Sequence, residues 1–265
     1  MKKSKILSAV MASVLSVALL TGCGSANAGG SKESSTGEAK EGKYIIACDA
    51  KYAPFSFEEN GSYKGIDVEL LDAIAKEEGF EYELKPMDFQ AVIPGLTSGQ
   101  LDGAIAGISI TDERKQALDF SDGYFESGLS LVVNANNTDI NGVDDLQGKS
   151  AAVKKGTAGS QFAEENADKY GLKLNYLEDS PTMFLEVENG NSDFLLEDYP
   201  VIAYKIKVDG GSKLRIAGDK LTKVDYGFAV SKGKNKELLQ KFNDGLKKVK
   251  ENGEYDKIVG QYIGK

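Results

Sequence analysis

Residues that could bind a charged small molecule stand at or shortly after the ends of short apolar runs at several points in this sequence. They are acidic, basic, hydroxyl-bearing, aromatic or glycine residues, in chain order Asp49, Tyr52, Phe55, Phe89, Gly107, Ser109, Arg114, Lys154, Thr157, Gly159, Glu197 and Asp198. Ligands of open α/β sheets bind beyond the carboxyl ends of the strands, which is where these residues fall if the apolar runs are strands. Because groups of both signs converge, the pattern favours a zwitterionic ligand.

Arg114 is the candidate partner for a ligand carboxylate. It ends the stretch 111–114, in which Thr111 is a favourable helix N-cap and the arginine falls in the first helical turn. An arginine there opposes the helix dipole, which points to a role other than helix stability. A bidentate guanidinium and the free N–H groups of a helix start both suit a carboxylate. The alternative is a surface arginine that pairs with Asp112 or Glu113.

Asp198 and Ser109 are the candidate acceptors for an ammonium group. Alternatively, Asp198 caps a helix that begins near Pro200. Tyr52 and Phe89 could sandwich the aliphatic part of the ligand, or they could be ordinary core aromatics. The pattern alone leaves these alternatives open.

Apolar runs and amphipathic stretches alternate from residue 43 onward, which predicts alternating strands and helices. The predicted strands are 44–47, 82–85, 102–110, 129–133, 151–153, 172–177, 193–196, 214–217 and 226–230. The predicted helices are 67–78, 90–98, 160–170, 182–188, 200–207 and two within 236–262. Alternation of this kind indicates α/β sheets that are mainly parallel and flanked by helices.

Two such series in one chain predict two lobes rather than one sheet. Lobe 1 is expected over 43–123 and 227–265 and lobe 2 over 129–223, joined by a two-segment hinge at 124–128 and 224–226. Two adjacent crossings allow one lobe to close on the other across a cleft.

Residues 1–22 have the pattern of a secretory signal peptide that ends at a lipidation site. Basic residues precede an apolar stretch, 6–20, which is shorter than the ~20 residues of a membrane-spanning helix. Leu-Thr-Gly-Cys at 20–23 is similar to a bacterial lipobox and predicts a diacylglycerol on Cys23, although an ordinary signal with an incidental cysteine is the alternative. The polar stretch 23–42 then reads as a flexible tether to the outer face of the cell membrane.

The composition excludes several functional classes. The formal net charge is −9, without a basic stripe, which disfavours nucleic-acid binding. The chain has no histidine, phosphate loop, nucleophile elbow or metal-ligand motif, so we expect no catalytic residue, metal or cofactor. The second cysteine, Cys48, lies in an apolar run and reads as a buried hydrophobe.

The chain resembles family 3 of the bacterial solute-binding proteins, the polar amino-acid receptors of ABC importers. The resemblance covers nearly all of 43–265 and rests on APFSF (53–57), GIDV (65–68), AGISITDER (106–114), DFSDGYF (119–125) and KKGT (154–157). It implies a two-lobed periplasmic-binding-protein fold of type II and ligand capture by hinge closure. It also implies a monomer that delivers its amino acid to a membrane permease.

Within that family the chain is most similar to glutamine receptors, above all over 82–89 and 93–96. This similarity implies that Arg114 and the backbone of Ser109 hold the ligand carboxylate. It assigns the ammonium group to Asp198, the Gly107 carbonyl and the Ser109 hydroxyl.

The same similarity implies how the ligand side chain is read. Tyr52 and Phe89 would stack on it, while Asp49 accepts from the carboxamide NH₂ and Lys154 donates to the carboxamide oxygen. The full set of implied ligand-binding residues is Asp49, Tyr52, Phe89, Ala106, Gly107, Ser109, Arg114, Lys154, Thr157, Ala158, Glu197 and Asp198.

Three positions depart from the glutamine-receptor pattern. Glu197 stands in place of a histidine, Ser109 in place of a threonine, and Ala158 in place of a glycine. A carboxylate at 197 near Asp49 favours a cationic side chain, whereas Lys154 disfavours one. A receptor for arginine, lysine or histidine, or for another polar or acidic amino acid, is therefore the alternative to a glutamine receptor.

Two further functional classes remain as rivals to transport. The same fold hosts dehydratases of the cyclohexadienyl type, and a buried Glu197 with a raised pKa could serve as an acid. A sensory module for a membrane receptor is the other rival, and it would normally continue into a transmembrane segment.

Overall fold

The computed structural model describes residues 42–264, and within them strands and helices alternate. The strands are β1 (Tyr44–Asp49), β2 (Lys51–Tyr52), β3 (Ser56–Glu59), β4 (Ser62–Lys64), β5 (Tyr82–Met87), β6 (Gly103–Ala104), β7 (Leu118–Phe120), β8 (Phe125–Ser127), β9 (Leu129–Asn134), β10 (Ser150–Lys154), β11 (Lys173–Leu177), β12 (Phe194–Asp198), β13 (Leu214–Ile216), β14 (Val224–Tyr226) and β15 (Ala229–Ser231). The helices are α1 (Ile66–Glu78), α2 (Phe89–Thr97), α3 (Ala158–Glu165), α4 (Ala167–Tyr170), α5 (Ser180–Glu188), α6 (Tyr199–Asp209), α7 (Lys236–Glu251) and α8 (Glu254–Tyr262).

The first sheet has the strand order β5-β1-β6-β15-β7. Strand β1 is parallel to both β5 and β6, and its central position explains why five of its six residues are buried. Helices α1 and α7 pack together over this sheet so closely that a Cβ on Gly245 would lie 2.7 Å from the Ile74 side chain. The rings of Phe228 and Phe242 stack at 4.4 Å and join the sheet to α7. This sheet and its helices are the first lobe.

The second sheet repeats this arrangement in the order β11-β10-β12-β9-β13. Strand β10 is parallel to β11 and β12, and helices α3 and α5 pack against it. Helix α5 begins where Asp179 accepts a hydrogen bond from the Thr182 N–H at 2.8 Å. This sheet and its helices are the second lobe.

Each sheet also contains strands that run antiparallel to the others. Strand β9 enters the second sheet from the first lobe, and β15 enters the first sheet from the second lobe; both are antiparallel to their neighbours. A strand that arrives from the other lobe starts at the edge where the parallel strands end, so it must run in the opposite direction. The predicted two-lobed α/β fold is confirmed, and each sheet is mixed rather than purely parallel.

Strands β8 and β14 carry the chain between the two sheets and pair with each other in antiparallel register. We call them the crossing strands. An isolated backbone bridge between Ser109 and Tyr226 attaches β14 to the first lobe. The role of the crossing strands as a hinge, and the lobe boundaries inferred from the sequence, stay predictions.

Three predicted elements were wrong in extent. The predicted strand 226–230 is divided between β14, which ends at Tyr226, and β15, which begins at Ala229 in another sheet. The apolar run 102–110 forms a strand only at Gly103–Ala104. The chain then leaves the sheet at Gly107, which has φ +56° and donates its N–H to Asp67 Oδ2 at 2.9 Å. The predicted helix 160–170 is divided at Asn166, where φ is −105° and ψ is 1°.

Cys48 is fully buried in β1, as its apolar run predicts. The predicted signal peptide, the lipidated Cys23 and nearly all of the tether lie outside the described residues. Within 42–264, no helix combines the length and apolar character needed to cross a membrane.

Candidate functional site

Polar side chains from both lobes meet around a cavity of about 20 Å³, room for roughly one water molecule. Ten of the twelve ligand-binding residues implied by the family resemblance line it: Tyr52, Phe89, Gly107, Ser109, Arg114, Lys154, Thr157, Ala158, Glu197 and Asp198. Gly159, predicted from the strand-end pattern, lines it as well. The two remaining residues of the implied set lie behind this wall. Ala106 is fully buried in the first lobe, and Asp49 reaches the cavity only through Lys154.

The predicted α-helix whose first turn would contain Arg114 does not form. The Thr111 hydroxyl accepts a hydrogen bond from the Arg114 N–H at 3.2 Å, but only a short 3₁₀ turn, Arg114–Gln116, follows. The guanidinium donates to the Ser109 carbonyl and, across the cavity, to the Gly156 carbonyl of the second lobe, each at 3.1 Å. Asp112 pairs with Lys115 instead. Arg114 therefore faces the cavity as a cation whose pKa is lowered by burial and raised in part by Asp198.

Asp198 stands at the N-cap of α6, but its side chain makes no capping hydrogen bond. Its Oδ2 atom accepts from the Tyr52 hydroxyl at 2.8 Å and from the Tyr226 hydroxyl at 2.6 Å. Burial raises the pKa of Asp198, and the two hydroxyls together with Arg114 limit that rise. The carboxylate is thus held toward the cavity by donors from the first lobe and from a crossing strand.

Tyr52 and Phe89 both belong to the core and both present a ring to the cavity. The Tyr52 ring stacks on Phe55 at 5.9 Å, and the Lys154 ammonium lies 4.6 Å from its centroid. The Phe89 ring lies 5.4 Å from the Arg114 guanidinium. The two alternatives from the sequence, core residue and ligand platform, are therefore compatible with each other.

Asp49 and Lys154 form a salt bridge between the last residue of β1 and the last residue of β10. Both side chains are only 2% exposed. Asp49 Oδ1 also accepts from the Lys51 N–H at 3.0 Å, which fixes the carboxylate. Lys154 consequently projects into the cavity in one orientation, held from behind by Asp49.

Glu197 is buried and only partly satisfied. Its Oε1 atom accepts from the Asp198 N–H at 2.9 Å, whereas Oε2 has no hydrogen-bond partner in the part of the chain that the structure describes. Burial raises the pKa of Glu197 to about 7, and the negative charge of Asp198 adds to the rise. Lys154 and the nearby Ser180 hydroxyl lower that pKa in part. An additional donor from a ligand would satisfy Oε2.

Backbone geometry shapes two more parts of the wall. A Cβ on Gly107 would lie 2.5 Å from the Tyr52 ring, so this position requires glycine for space as well as for its φ of +56°. Thr157 caps α3 by accepting from the Ser160 N–H at 3.2 Å, so the first N–H groups of α3 lie at the cavity beside Ala158. Free N–H groups at a helix start bind carboxylates well.

Reasoning from strand ends misses Tyr226, because this residue precedes an apolar run rather than following one. It also misses the apolar wall residues Leu129, Met183 and Leu196. No group of three or more potential metal ligands occurs within residues 42–264.

The model of the bacterial extracellular solute-binding proteins, family 3, matches residues 44–265. The chain belongs to this family. Its members bind solutes outside the cytoplasm, and this chain is an amino-acid-binding protein that works with an ABC transporter.

Curated relatives of this family-3 protein bind different amino acids. A probable histidine-binding protein from Neisseria gonorrhoeae is 34% identical over 269 residues, which cover 100% of this chain and 97% of the relative. The ABC transporter glutamine-binding protein GlnH of Bacillus subtilis (strain 168) is 31% identical and covers 98% of this chain and 97% of its own length.

An ancestral arginine-binding protein has the same fold in two solved structures. Bound to arginine, it matches with a TM-score of 0.79 and 39% identity, covering 84% of this chain and 99% of its own. Bound to glutamine, it matches with a TM-score of 0.79 and 38% identity, covering 86% and 100%. A site on this fold can therefore hold either side chain.

Proposed function

We propose that this amino-acid-binding protein captures L-glutamine and delivers it to the permease of an ABC importer. The observation that carries the proposal is the buried Asp49–Lys154 pair. A fixed ammonium on the cavity wall can donate to a carboxamide oxygen, and a nearby carboxylate can accept from the carboxamide NH₂. Glu197 Oε2 also lines the cavity, lacks a partner among the described residues and can exchange a hydrogen bond with the carboxamide.

The charged ends of the ligand have matching groups on opposite lobes. Arg114 of the first lobe and the N–H groups at the start of α3 suit the α-carboxylate. Asp198 of the second lobe suits the α-ammonium. Since contacts from both lobes form only when the lobes approach, the ligand favours the closed state.

Entry of an amino acid requires the lobes to separate. The cavity of about 20 Å³ is far smaller than glutamine, and Tyr52 already bonds Asp198 across it. The lobes are also linked by the Asp49–Lys154 salt bridge, by the bond from Arg114 to the Gly156 carbonyl and by the Lys51–Asp179 pair at 2.7 Å. Opening breaks these links so that the ligand can enter, and closure brings the two lobes together around it.

The charge on Glu197 decides between a neutral and a cationic side chain. Arg114 and Lys154 balance Asp49 and Asp198, so a protonated Glu197 leaves a neutral site that suits glutamine. An ionised Glu197 leaves one unbalanced negative charge, which suits arginine, lysine or histidine. A basic amino acid is therefore the second candidate, supported by the unpartnered Oε2 and by the histidine-binding and arginine-binding relatives.

A calorimetric screen of the purified soluble domain against the twenty amino acids tests both candidates. We expect L-glutamine to bind most tightly at pH 6. At pH 8 we expect the affinity for L-arginine to rise relative to L-glutamine, because ionised Glu197 attracts the guanidinium. The Glu197→Gln variant is the matched control and should lose that pH dependence. A protein that binds neither ligand at either pH would refute the proposal.

Binding rather than catalysis is the function that this site supports. A dehydratase acting on a cyclohexadienyl acid would use Glu197 as its acid. Incubation of the protein with arogenate or prephenate should give no product above the uncatalysed rate. Turnover that Glu197→Gln abolishes would establish an enzyme instead.

We further propose that the mature protein is a monomer anchored to the outer face of the cell membrane through lipid on Cys23. The lipobox-like sequence at 20–23 supports the anchor. A Cys23→Ser variant expressed in its host should appear in the soluble extracytoplasmic fraction, while the unchanged protein stays with the membranes. Equal distribution of the two proteins would refute the lipid anchor.

A further inference from the structure

Tyr226 is the last residue of crossing strand β14, and its side chain is fully buried. Its hydroxyl lies 2.6 Å from Asp198 Oδ2 and 3.0 Å from the Tyr52 hydroxyl. Tyr226 of the crossing strand and Tyr52 of the first lobe thus meet at one carboxylate oxygen of Asp198 in the second lobe.

The backbone and ring of Tyr226 are fixed independently of Asp198. Its backbone pairs with Phe125 of the other crossing strand and bridges to Ser109. Its ring packs edge-on against Phe55 at 5.1 Å. The hydroxyl therefore has one position available relative to the crossing strands.

The buried Asp198 carboxylate receives its hydrogen bonds from the Tyr52 and Tyr226 hydroxyls. It does not cap α6, and both hydroxyl donors use the same atom, Oδ2. The other oxygen, Oδ1, is left to accept an N–H from an ammonium group. Separation of the lobes would move the hydroxyl donors on β2 and β14 away from the carboxylate acceptor on β12.

We propose that Tyr226 is a positioning residue whose hydroxyl ties the crossing strand to Asp198 and holds this carboxylate ionised and aimed at the ligand's ammonium. The inference rests on the proposed function of the cavity as an amino-acid site. Closure of the lobes and completion of the ammonium acceptor become one event, because the donor on β14 meets Asp198 only in the closed state.

The charge state of Asp198 gives this role a distinctive signature. Groups that face the carboxylate and influence its protonation are Tyr52, Tyr226, Arg114, Lys154 and Glu197. Burial raises the pKa of Asp198, and the Tyr226 hydroxyl lowers it. Loss of the hydroxyl should raise that pKa further, so binding of an ammonium group should fail at a higher pH than in the unchanged protein.

The experiment compares Tyr226→Phe with the unchanged protein by calorimetry with L-glutamine from pH 5 to pH 8. We expect about tenfold weaker binding at pH 7.5, as for loss of one hydrogen bond to a charged group. We also expect the acid limb of the affinity profile to move to higher pH. Tyr82→Phe removes a different hydroxyl–carboxylate bond, to Asp72 outside the cavity, and should change neither.

The pKa of Glu197 is raised to about 7, so this residue also titrates between pH 5 and pH 8. The comparison is therefore repeated in the Glu197→Gln background. Thermal melting verifies that each variant is folded. An affinity within about twofold of the unchanged protein would overturn the proposal. Weaker binding with an unmoved acid limb would also overturn it, because Tyr226 would then serve packing alone. If the unchanged protein binds L-arginine and not L-glutamine, the same comparison is made with L-arginine. Failure of the unchanged protein to bind either ligand refutes the proposed function and not this inference.

Discussion

Replacement of Glu197 by glutamine should stabilise the protein in a way that depends on pH. The substitution keeps the shape and leaves an oxygen to accept from the Asp198 N–H, but it removes a buried group that ionises near neutral pH. The folded protein raises the pKa of Glu197 from 4.5 to about 7, chiefly through burial. The folded state therefore binds this proton more tightly than the unfolded state.

The sign and size of the effect follow from that difference. Stability is lost as pH rises from about 4.5 to about 7, because the unfolded state releases the proton first, and the full loss persists above pH 7. A pKa displacement of this size corresponds to about 3 kcal/mol. Glutamine cannot ionise, so the variant should be more stable by about 3 kcal/mol at pH 8 and nearly equal at pH 4.

Urea unfolding of both proteins at about pH 4, 6, 7 and 8 measures this difference directly. Other buried carboxyls titrate in both proteins, so their contributions cancel in the comparison. Glu83→Gln, at an exposed glutamate of β5, controls for a change in net charge and should give little difference at any pH. A stability difference that does not grow with pH, or a variant less stable at pH 8, would refute the electrostatic account of Glu197.

Three other substitutions test neighbouring parts of the site. Arg114→Ala should weaken amino-acid binding by at least about tenfold in calorimetry, because it leaves a buried ligand carboxylate without its partner; unchanged affinity would remove this residue from the site. Asp49→Asn should destabilise the protein by about 3–5 kcal/mol in urea unfolding, because Lys154 keeps a buried unpaired charge. Adding Lys154→Met should restore part of the lost stability, and an equal loss in the double variant would contradict the pairing. Asp67→Asn should raise stability at pH 8 but not at pH 4, because burial raises the pKa of this carboxyl to about 7. The amide oxygen of the variant can still accept from the Gly107 N–H. An effect on stability that does not depend on pH would contradict this electrostatic explanation.

The cavity wall is largely predictable from strand ends, for a simple geometric reason. Strand β1 ends at Asp49, β10 at Lys154 and β12 at Asp198, and in each case the polar residue directly follows buried residues. Because parallel strands bring their carboxyl ends to one edge, the register alone carries these side chains to the cleft. No contact between the lobes has to be known in advance.

Contacts that depend on tertiary structure cannot be predicted from the positions of strand ends. The run 102–110 has the composition of a buried strand, but the buried Asp67 draws the Gly107 N–H out of the sheet. The salt bridge between Asp49 and Lys154 forms only because the two lobes face each other, and no local sequence pattern predicts that arrangement. Sequence patterns therefore give the list of groups in the site better than the bonds among them.

The segments that join the lobes each deliver a tyrosine hydroxyl to a buried carboxylate. Tyr124 donates to Asp67 of the first lobe at 2.8 Å, and Tyr226 donates to Asp198 of the second lobe at 2.6 Å. Asp67 in turn anchors the N–H of Gly107, whose carbonyl is a proposed ammonium acceptor alongside Asp198. Both proposed acceptors are thus one or two hydrogen bonds from the segments of the proposed hinge. A buried carboxylate is costly to leave without donors. We therefore expect a displacement of these segments to change the proposed ammonium site, so that affinity and closure depend on the same bonds.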